Sequence, residues 1–273
     1  MFSSLSVIGV LMMVRRRGKL AVVDMESVES ILIAGDIHGD VEAFKRAKKM
    51  FEEEKDAVLI FLGDYADRGD HGLEVIKGVI ELLDRYPERV VALKGNHEDY
   101  RQGKPWFSPW TLGWEVEAKL GIGWSEFYKW FERRFLSRLD IAVLLPGLGV
   151  GVHGGVCKDI NEVRVLENPQ KDVEINLLWS DPMNARGEVP NPRGAGVLFG
   201  PDVTESVLSA LGAFFIFRGH EPRKAWDGPF LEHGGRVITT SCTSIYGGRP
   251  FLLRLSPGSK HTAREIERSA VFL

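Results

Sequence analysis

Cysteine is scarce in this chain. Its 273 residues include two, Cys157 and Cys242, and no CxxC pair. That excludes a disulfide framework and makes a reducing cytoplasm the expected setting. An excess of one charge is also missing: 35 Lys and Arg against 38 Asp and Glu leave a net charge of -3, so nothing points to non-specific nucleic-acid binding. No apolar run approaches the roughly 20 residues needed to cross a bilayer. The nearest candidate, residues 5–14, is too short, and Arg15, Arg16 and Arg17 follow it, whereas a signal peptide carries its positive charge first. The first 28 residues read as an N-terminal extension or an extra strand, with no stable membrane insertion expected. Fixed-period repeats, low-complexity tracts and long charge blocks are absent as well. What remains is 44% hydrophobic with 30 Gly and 13 Pro, an ordinary globular composition with enough chain for a large core. Residues 29–273 are expected to form one catalytic domain.

One pattern occurs five times. The apolar run Ile31, Leu32, Ile33, Ala34 ends in Gly35, Asp36, Ile37, His38, Gly39. Residues 57–62 end in Gly63, Asp64, Tyr65, Ala66, Asp67, Arg68, Gly69, and residues 90–93 end in Lys94, Gly95, Asn96, His97, Glu98. Residues 148–152 lead into His153, Gly154, Gly155, and residues 214–217 into Arg218, Gly219, His220. Continuous apolar runs describe strands covered on both faces. Between the first three runs, residues 41–54 and 72–86 repeat their apolar positions at the helical period. The order is βαβαβ with parallel strands, which gathers the polar loops at the strands' carboxyl ends. The fold class is α/β, or mixed α+β.

Taken singly, a Gly-Asp after a strand is a turn and a histidine beside an apolar run is a packed core residue. Five coincident strand ends are another matter. They would deliver Asp36, His38, Asp64, Asn96, His153 and His220 to one place. Flanking glycines let the backbone turn sharply and approach closely. Carboxylate, imidazole and amide oxygen suit Mn, Fe or Zn better than a thiolate-selecting site would. Six ligands exceed what one metal with an open position takes, so two divalent metals are expected, with Asp64 as the natural bridge.

These motifs, with Leu178-Trp179-Ser180-Asp181-Pro182 and Asn191-Pro192-Arg193-Gly194, resemble the signature of the phosphoprotein phosphatase (PPP) family of serine/threonine phosphatases, within the calcineurin-like metallophosphoesterases. The resemblance runs from about residue 31 to about residue 248. It implies a central β-sandwich flanked by helices, with a dinuclear centre at the strand ends. Asp36, His38 and Asp64 would hold one metal, and Asp64, Asn96, His153 and His220 the other. Manganese is the expected metal, with Fe, Zn, Ni or Co as alternatives. Two metals about 3.5–4 Å apart would share a hydroxide for in-line attack on phosphorus. Arg68 and Arg193 would clamp the phosphoryl oxygens, with Asn96 and Tyr246 also contacting substrate. His97 would protonate the leaving oxygen, and Asp67 would orient His97 and keep it cationic. Glu98 would be structural, bonding backbone beside the site. Neither cysteine sits in a Cys-x5-Arg phosphate loop, so no covalent cysteine chemistry is expected.

The loop around Ser241, Cys242, Thr243, Ser244, Ile245, Tyr246, Gly247 and Gly248 departs from the family pattern, since Tyr246 is one position out of register. Cys242 reads as a small packed residue. The compact length suggests a stand-alone enzyme of prokaryotic type, with a phosphoprotein or phosphopeptide as substrate, and a monomer is compatible with it. The competing readings are a small-molecule metallophosphatase, such as a dinucleoside polyphosphate hydrolase, and an inactive metal-binding scaffold. Finally, residues 104–131 hold five of the 7 tryptophans. Trp130, Phe131 and Phe135 have helical spacing and should pack inward. Trp106, Phe107 and Trp110 sit among Gly103, Pro105, Ser108 and Pro109, and that loop, residues 104–113, is expected to form one wall of the substrate cleft.

Overall fold

The computed structural model describes residues 12–258 and 261–273; most of the apolar run at residues 5–14 lies outside them. Two sheets stack face to face. Strands β1 (Val14–Arg17), β2 (Leu20–Val23), β3 (Ser30–Ala34), β4 (Ala57–Phe61), β5 (Val90–Ala92), β6 (Ala142–Leu145), β7 (Gly149–Gly151), β8 (Phe215–Arg218), β9 (Phe230–Glu232), β10 (Val237–Thr239), β11 (Phe251–Leu255) and β12 (Ala270–Phe272) form them. One sheet has the order β12-β11-β3-β4-β5 and the other β1-β2-β6-β7-β8-β10-β9. In the first, β3, β4 and β5 run parallel, as βαβαβ requires. Its crossovers are the helices α1 (Val41–Glu53) and α2 (Gly72–Arg85).

The apolar runs are continuous because both sides of each sheet are covered. On β3, Ile31 and Ile33 face the interior of the sandwich, together with Val58, Ile60, Val143, Leu145, Phe215 and Phe217. Leu32 and Ala34 point the other way, onto Phe44, Phe51, Ile76 and Val79 of α1 and α2. Helices α3 (Leu112–Leu120) and α4 (Trp124–Arg134) extend that outer layer. Across the molecule α5 (Val163–Glu167), α6 (Lys171–Trp179) and α7 (Pro201–Leu211) cover Ala142, Leu144, Val150 and Ile216. A short helix, α8 (Ala263–Arg268), precedes β12. The result is a helix–sheet–sheet–helix stack, in which the period of two along each strand separates the inner core from the two outer ones.

The hairpin β1–β2 forms the edge of the seven-stranded sheet. Arg16 donates to Asp140 at 3.1 Å and to the carbonyls of Pro87 and Val90, both at 3.0 Å. The strand alternative for the N-terminal region thus describes residues 14–23. Both cysteines are buried and free, and Cys242 packs in the outer core with Leu252 and Ala34. Among the described residues no helix is long and apolar enough to cross a membrane.

Candidate active site

The five strand ends meet. Asp36 and His38 follow β3, Asp64 follows β4, Asn96 and His97 follow β5, His153 follows β7 and His220 follows β8. All seven are buried. The close approach depends on glycine at two points. A Cβ on Gly219 would lie 2.1 Å from Asp36 Oδ1, and one on Gly95 would lie 2.2 Å from Asp64 Oδ1. Backbone strain gathers in the same place: His38, Asp64, Asp67, Arg68 and His220 all have positive φ, from 47° to 69°. Non-glycine residues are held there only when the surroundings dictate it.

The hydrogen bonds show what these residues fit. His38 Nδ1 lies 3.0 Å from the carbonyl oxygen of Ala66. A carbonyl only accepts, so Nδ1 carries the proton and Nε2 presents a lone pair. That lone pair faces Asp64 Oδ2 at 3.4 Å and Asp36 Oδ2 at 3.6 Å. His153 repeats the arrangement. Its Nδ1 donates to Leu62 O at 2.9 Å, while Nε2 faces Asn96 Oδ1 at 2.9 Å and Asp64 Oδ1 at 3.4 Å. Burial, the largest influence on both rings, holds them well below the ordinary histidine range and therefore neutral. Asp36 Oδ2 and His220 Nε2 are buried with no hydrogen-bond partner. Burial also raises Asp36 to about 7 and Asp64 well above the carboxylate range, with the Asp36 carboxylate adding to the effect on Asp64. Imidazole lone pairs and carboxyl groups converge where burial disfavours bare negative charge, and divalent cations satisfy that arrangement. Ligand atoms of Asp36, Asp64 and His153 lie within 4.8 Å of one another, as do those of His38, Asp64 and His97. Asp64 belongs to both groups, the place expected of a bridge.

Around this cluster opens a cavity of about 900 Å³. His97 sits on its floor. Its Nδ1 is 2.8 Å from Asp67 Oδ2, and its backbone N–H donates to Asp64 Oδ1 at 2.9 Å. The ring packs against Phe107 with centroids 4.5 Å apart. Two influences oppose each other on the His97 ring. Burial lowers the imidazole below its ordinary range, and the opposing pull of Asp67 does not overcome it. Asp67 also has a second task. Its Oδ1 accepts from the backbone N–H groups of Thr111 at 2.6 Å and Leu112 at 2.8 Å, capping the start of α3. Glu98 takes the structural place expected of it, accepting from the N–H groups of Asp64 and Gly95, both at 2.9 Å, and of Tyr65 at 3.1 Å.

Both arginines reach the cavity. Arg68 is exposed and donates to Ser108 O at 3.1 Å. Arg193 Nε donates to Asp181 Oδ2 at 2.8 Å. Sequence reasoning gave no role to what stands behind Arg193. Arg218 is fully buried and pairs with Asp181 and Glu221, each at 2.7 Å. Burial would raise the Asp181 carboxyl, but Arg218, His220 and Arg193 together hold it far below the carboxylate range. The signals were an arginine ending an apolar strand and an aspartate inside Trp179-Ser180-Asp181-Pro182. Tyr246 lies in the cavity despite its shifted register, edge-on to His38 with centroids 5.5 Å apart. Asp40 holds the start of that loop, accepting from Ser244 N and Oγ at 2.7 Å.

The aromatic wall is partly as expected. Trp106, Phe107 and Ser108 line the cavity, and Trp106 meets Trp179 edge-on at 5.9 Å. Trp110 does not belong to the wall. It turns inward onto Trp124, with centroids 4.9 Å apart, and its Nε1 donates to Tyr100 Oη at 3.1 Å. An indole whose N–H has a partner can pack against the core with its polar end satisfied. Phe131 and Phe135 are buried, and Trp130 packs beside them.

The sequence pattern of the calcineurin-like phosphoesterases matches residues 29–224. The chain belongs to that family. Divalent metal ions are a property of this metallophosphoesterase family, and the buried cluster of carboxyl and imidazole ligand atoms fits them. A probable serine/threonine-protein phosphatase of Encephalitozoon cuniculi is 32% identical over 237 residues, covering 83% of this chain and 50% of that one. The chain thus spans about half the length of that curated relative. Among solved structures, a Saccharomyces cerevisiae serine/threonine phosphatase with similarity to human phosphatase PP5 aligns with a TM-score of 0.74 at 24% identity, covering 94% of this chain and 82% of that one. A cold-active protein-tyrosine phosphatase of a psychrophilic Shewanella species aligns at 0.60 and 14% identity, covering 89% and 78%. At these identities the two structures speak for the fold, which is that of the metallophosphoesterases.

Proposed function

We propose that this metallophosphoesterase is a PPP-type protein phosphatase that hydrolyses phosphoserine and phosphothreonine. The carrying observation is that a buried cluster of carboxyl and imidazole ligand atoms, an imidazole with its carboxylate partner and two arginine forks all open onto one cavity. Asp36, His38 and Asp64 would hold one divalent ion, and Asp64, Asn96, His153 and His220 a second. The donor set is oxygen and imidazole nitrogen without thiolate, which suits manganese, iron or zinc; manganese is the first ion to test. When bound, such ions supply Lewis acidity toward phosphoryl oxygens and lower the pKa of a coordinated water.

The chain's own residues do the rest. Arg68 and Arg193 present planar forks that match phosphoryl oxygens bidentately. Asp181, itself held by Arg218, fixes the direction of Arg193. Asn96 and Tyr246 flank the bound group. His97 would act as the imidazolium, its Nδ1–H donated to Asp67 and its Nε2–H facing the cavity; the Nε2 proton passes to the serine or threonine oxygen as that oxygen departs, leaving the neutral ring on Asp67. Large aromatic side chains on an open cleft suit an extended peptide. The 32% identical relative, named as a probable serine/threonine-protein phosphatase, supports the same reading.

A panel of phosphoserine peptides, p-nitrophenyl phosphate and dinucleoside polyphosphates, assayed with added manganese, tests it. Peptide dephosphorylation with the highest kcat/KM is the expected result. Dinucleoside polyphosphate cleavage with inert phosphopeptides would overturn the proposal in favour of a small-molecule enzyme. Inactivity on every substrate despite bound metal would point to a scaffold.

A further inference from the structure

The cleft's basic groups are not equivalent. Arg68 donates to Ser108 O at 3.1 Å. Arg193 is paired with Asp181, and Lys224 with Glu221 and Glu232, both at 2.9 Å. Arg223 also lines the cavity, is exposed, and among the described residues has no hydrogen bond or ion pair. It is nevertheless held in place. Lys224 N donates to Glu221 O at 2.9 Å, closing a turn with buried Pro222 at its second position and Arg223 at its third. That turn begins directly after His220, and the two ion pairs of Lys224 fasten its far end. The Arg223 guanidinium lies 5.6 Å from the centroid of the Tyr246 ring, the same ring that packs edge-on against His38. A planar cation is thus stacked on an aromatic face beside the phosphate site, with its donors unspent.

A phosphoryl group has only a few free oxygens, and Arg68, Arg193 and the cation site already address them. The unspent fork of Arg223 suits a second anion. Resting on the protein-phosphatase reading above, we propose that Arg223 is a specificity-determining residue. It recognises a negative group flanking the phosphorylated residue, either a carboxylate side chain or a second phosphate.

The test uses the full chain with manganese and a phosphoserine peptide set. One parent has alanine neighbours, and others carry glutamate or phosphoserine singly at the two positions on either side. The readout is the ratio of kcat/KM for each charged peptide to that of the parent, taken within each variant, so that a general loss of activity cancels. The wild-type ratio should exceed 1 by about three- to tenfold at the preferred position, the scale of one charge-assisted contact in a partly wet cleft. It should fall with added salt. Arg223→Ala should bring it close to 1, and Arg223→Glu should take it below 1. A response confined to the phosphoserine arm would identify multiply phosphorylated segments as the ligand, and a response to glutamate as well would identify acidic ones. A wild-type ratio of 1 at every position, or an unchanged ratio in Arg223→Glu, would overturn the inference alone. Hydrolysis of p-nitrophenyl phosphate without any phosphopeptide would overturn the protein-phosphatase reading and this inference with it.

Discussion

His97 and Asp67 show how much chemistry one buried pair concentrates. Nδ1 of His97 is committed to Asp67 at 2.8 Å, so only Nε2 can serve substrate. If its part is to protonate the leaving oxygen, the value of that proton depends on the leaving group. His97→Asn should lower kcat on phosphoserine peptides by about 10²–10⁴-fold, the range of general acid catalysis. It should lower kcat far less on p-nitrophenyl phosphate, whose phenolate leaves without help. Equal losses on both would mean that His97 positions phosphate or metal. Asp67 is a positioning residue with an added structural load, because the same carboxylate caps α3. Asp67→Ala should reproduce the substrate-dependent loss and also lower stability by about 1 kcal/mol, the usual cost of a lost cap. A thermal melt separates the two effects, and an unchanged Tm would mean that the cap is dispensable.

Among the elements, the loop at residues 104–113 serves two purposes within a few residues. Trp106 is 39% exposed and lines the cleft, with the Arg101 guanidinium 3.3 Å from its ring centroid. Trp110, four residues on, is partly buried and packs against the core of the outer helical layer. Substitution should therefore separate binding from folding. Trp106→Ala should lower kcat/KM on phosphopeptides by several-fold with little change in melting temperature, because it removes contact area on one side of the cleft. Trp110→Ala should lower stability by about 2 kcal/mol, below the range for a fully buried tryptophan because the ring is only partly covered. If Trp110→Ala is as stable as the parent chain while Trp106→Ala unfolds, the assignment is reversed.

At the scale of the whole molecule, the candidate metal site lies where the two sheets meet. Asp36, Asp64 and Asn96 come from the five-stranded sheet, His153 and His220 from the seven-stranded one. Ions bound between them should stabilise the fold as well as enable the reaction. At a free concentration about 100-fold above Kd, one bound ion contributes about 2.7 kcal/mol. For a domain of this size that corresponds to a rise in Tm of about 5–10 °C. Chelation should remove this increment together with activity, and manganese should restore both. Asp64→Asn should abolish most of the metal-dependent shift, since one carboxylate faces both halves of the site. A chelated protein that keeps its full activity and melting temperature would defeat the two-ion account.

The sequence by itself determined five of the twelve sandwich strands, the βαβαβ order and the arrival of six ligand-type residues at one end, because each of these is a local signal: an apolar run, a helical period, a glycine beside a polar side chain. It also determined that Phe131 and Phe135 pack inward, since helical spacing shows which face is buried. The tertiary structure alone decided the rest, because the rest depends on partners distant in the chain. Asp67 reaches 44 residues forward to cap α3, and Arg218 pairs with Asp181 across 37 residues. Trp106 and Trp110 look alike in a loop rich in glycine and proline, and only the presence of Tyr100 and Trp124 turns one of them inward. The balance of charge on His97 was equally out of reach of the sequence. Its carboxylate partner is visible in a motif, but the burial that opposes that partner exists only once both sheets and their helices have closed around the ring.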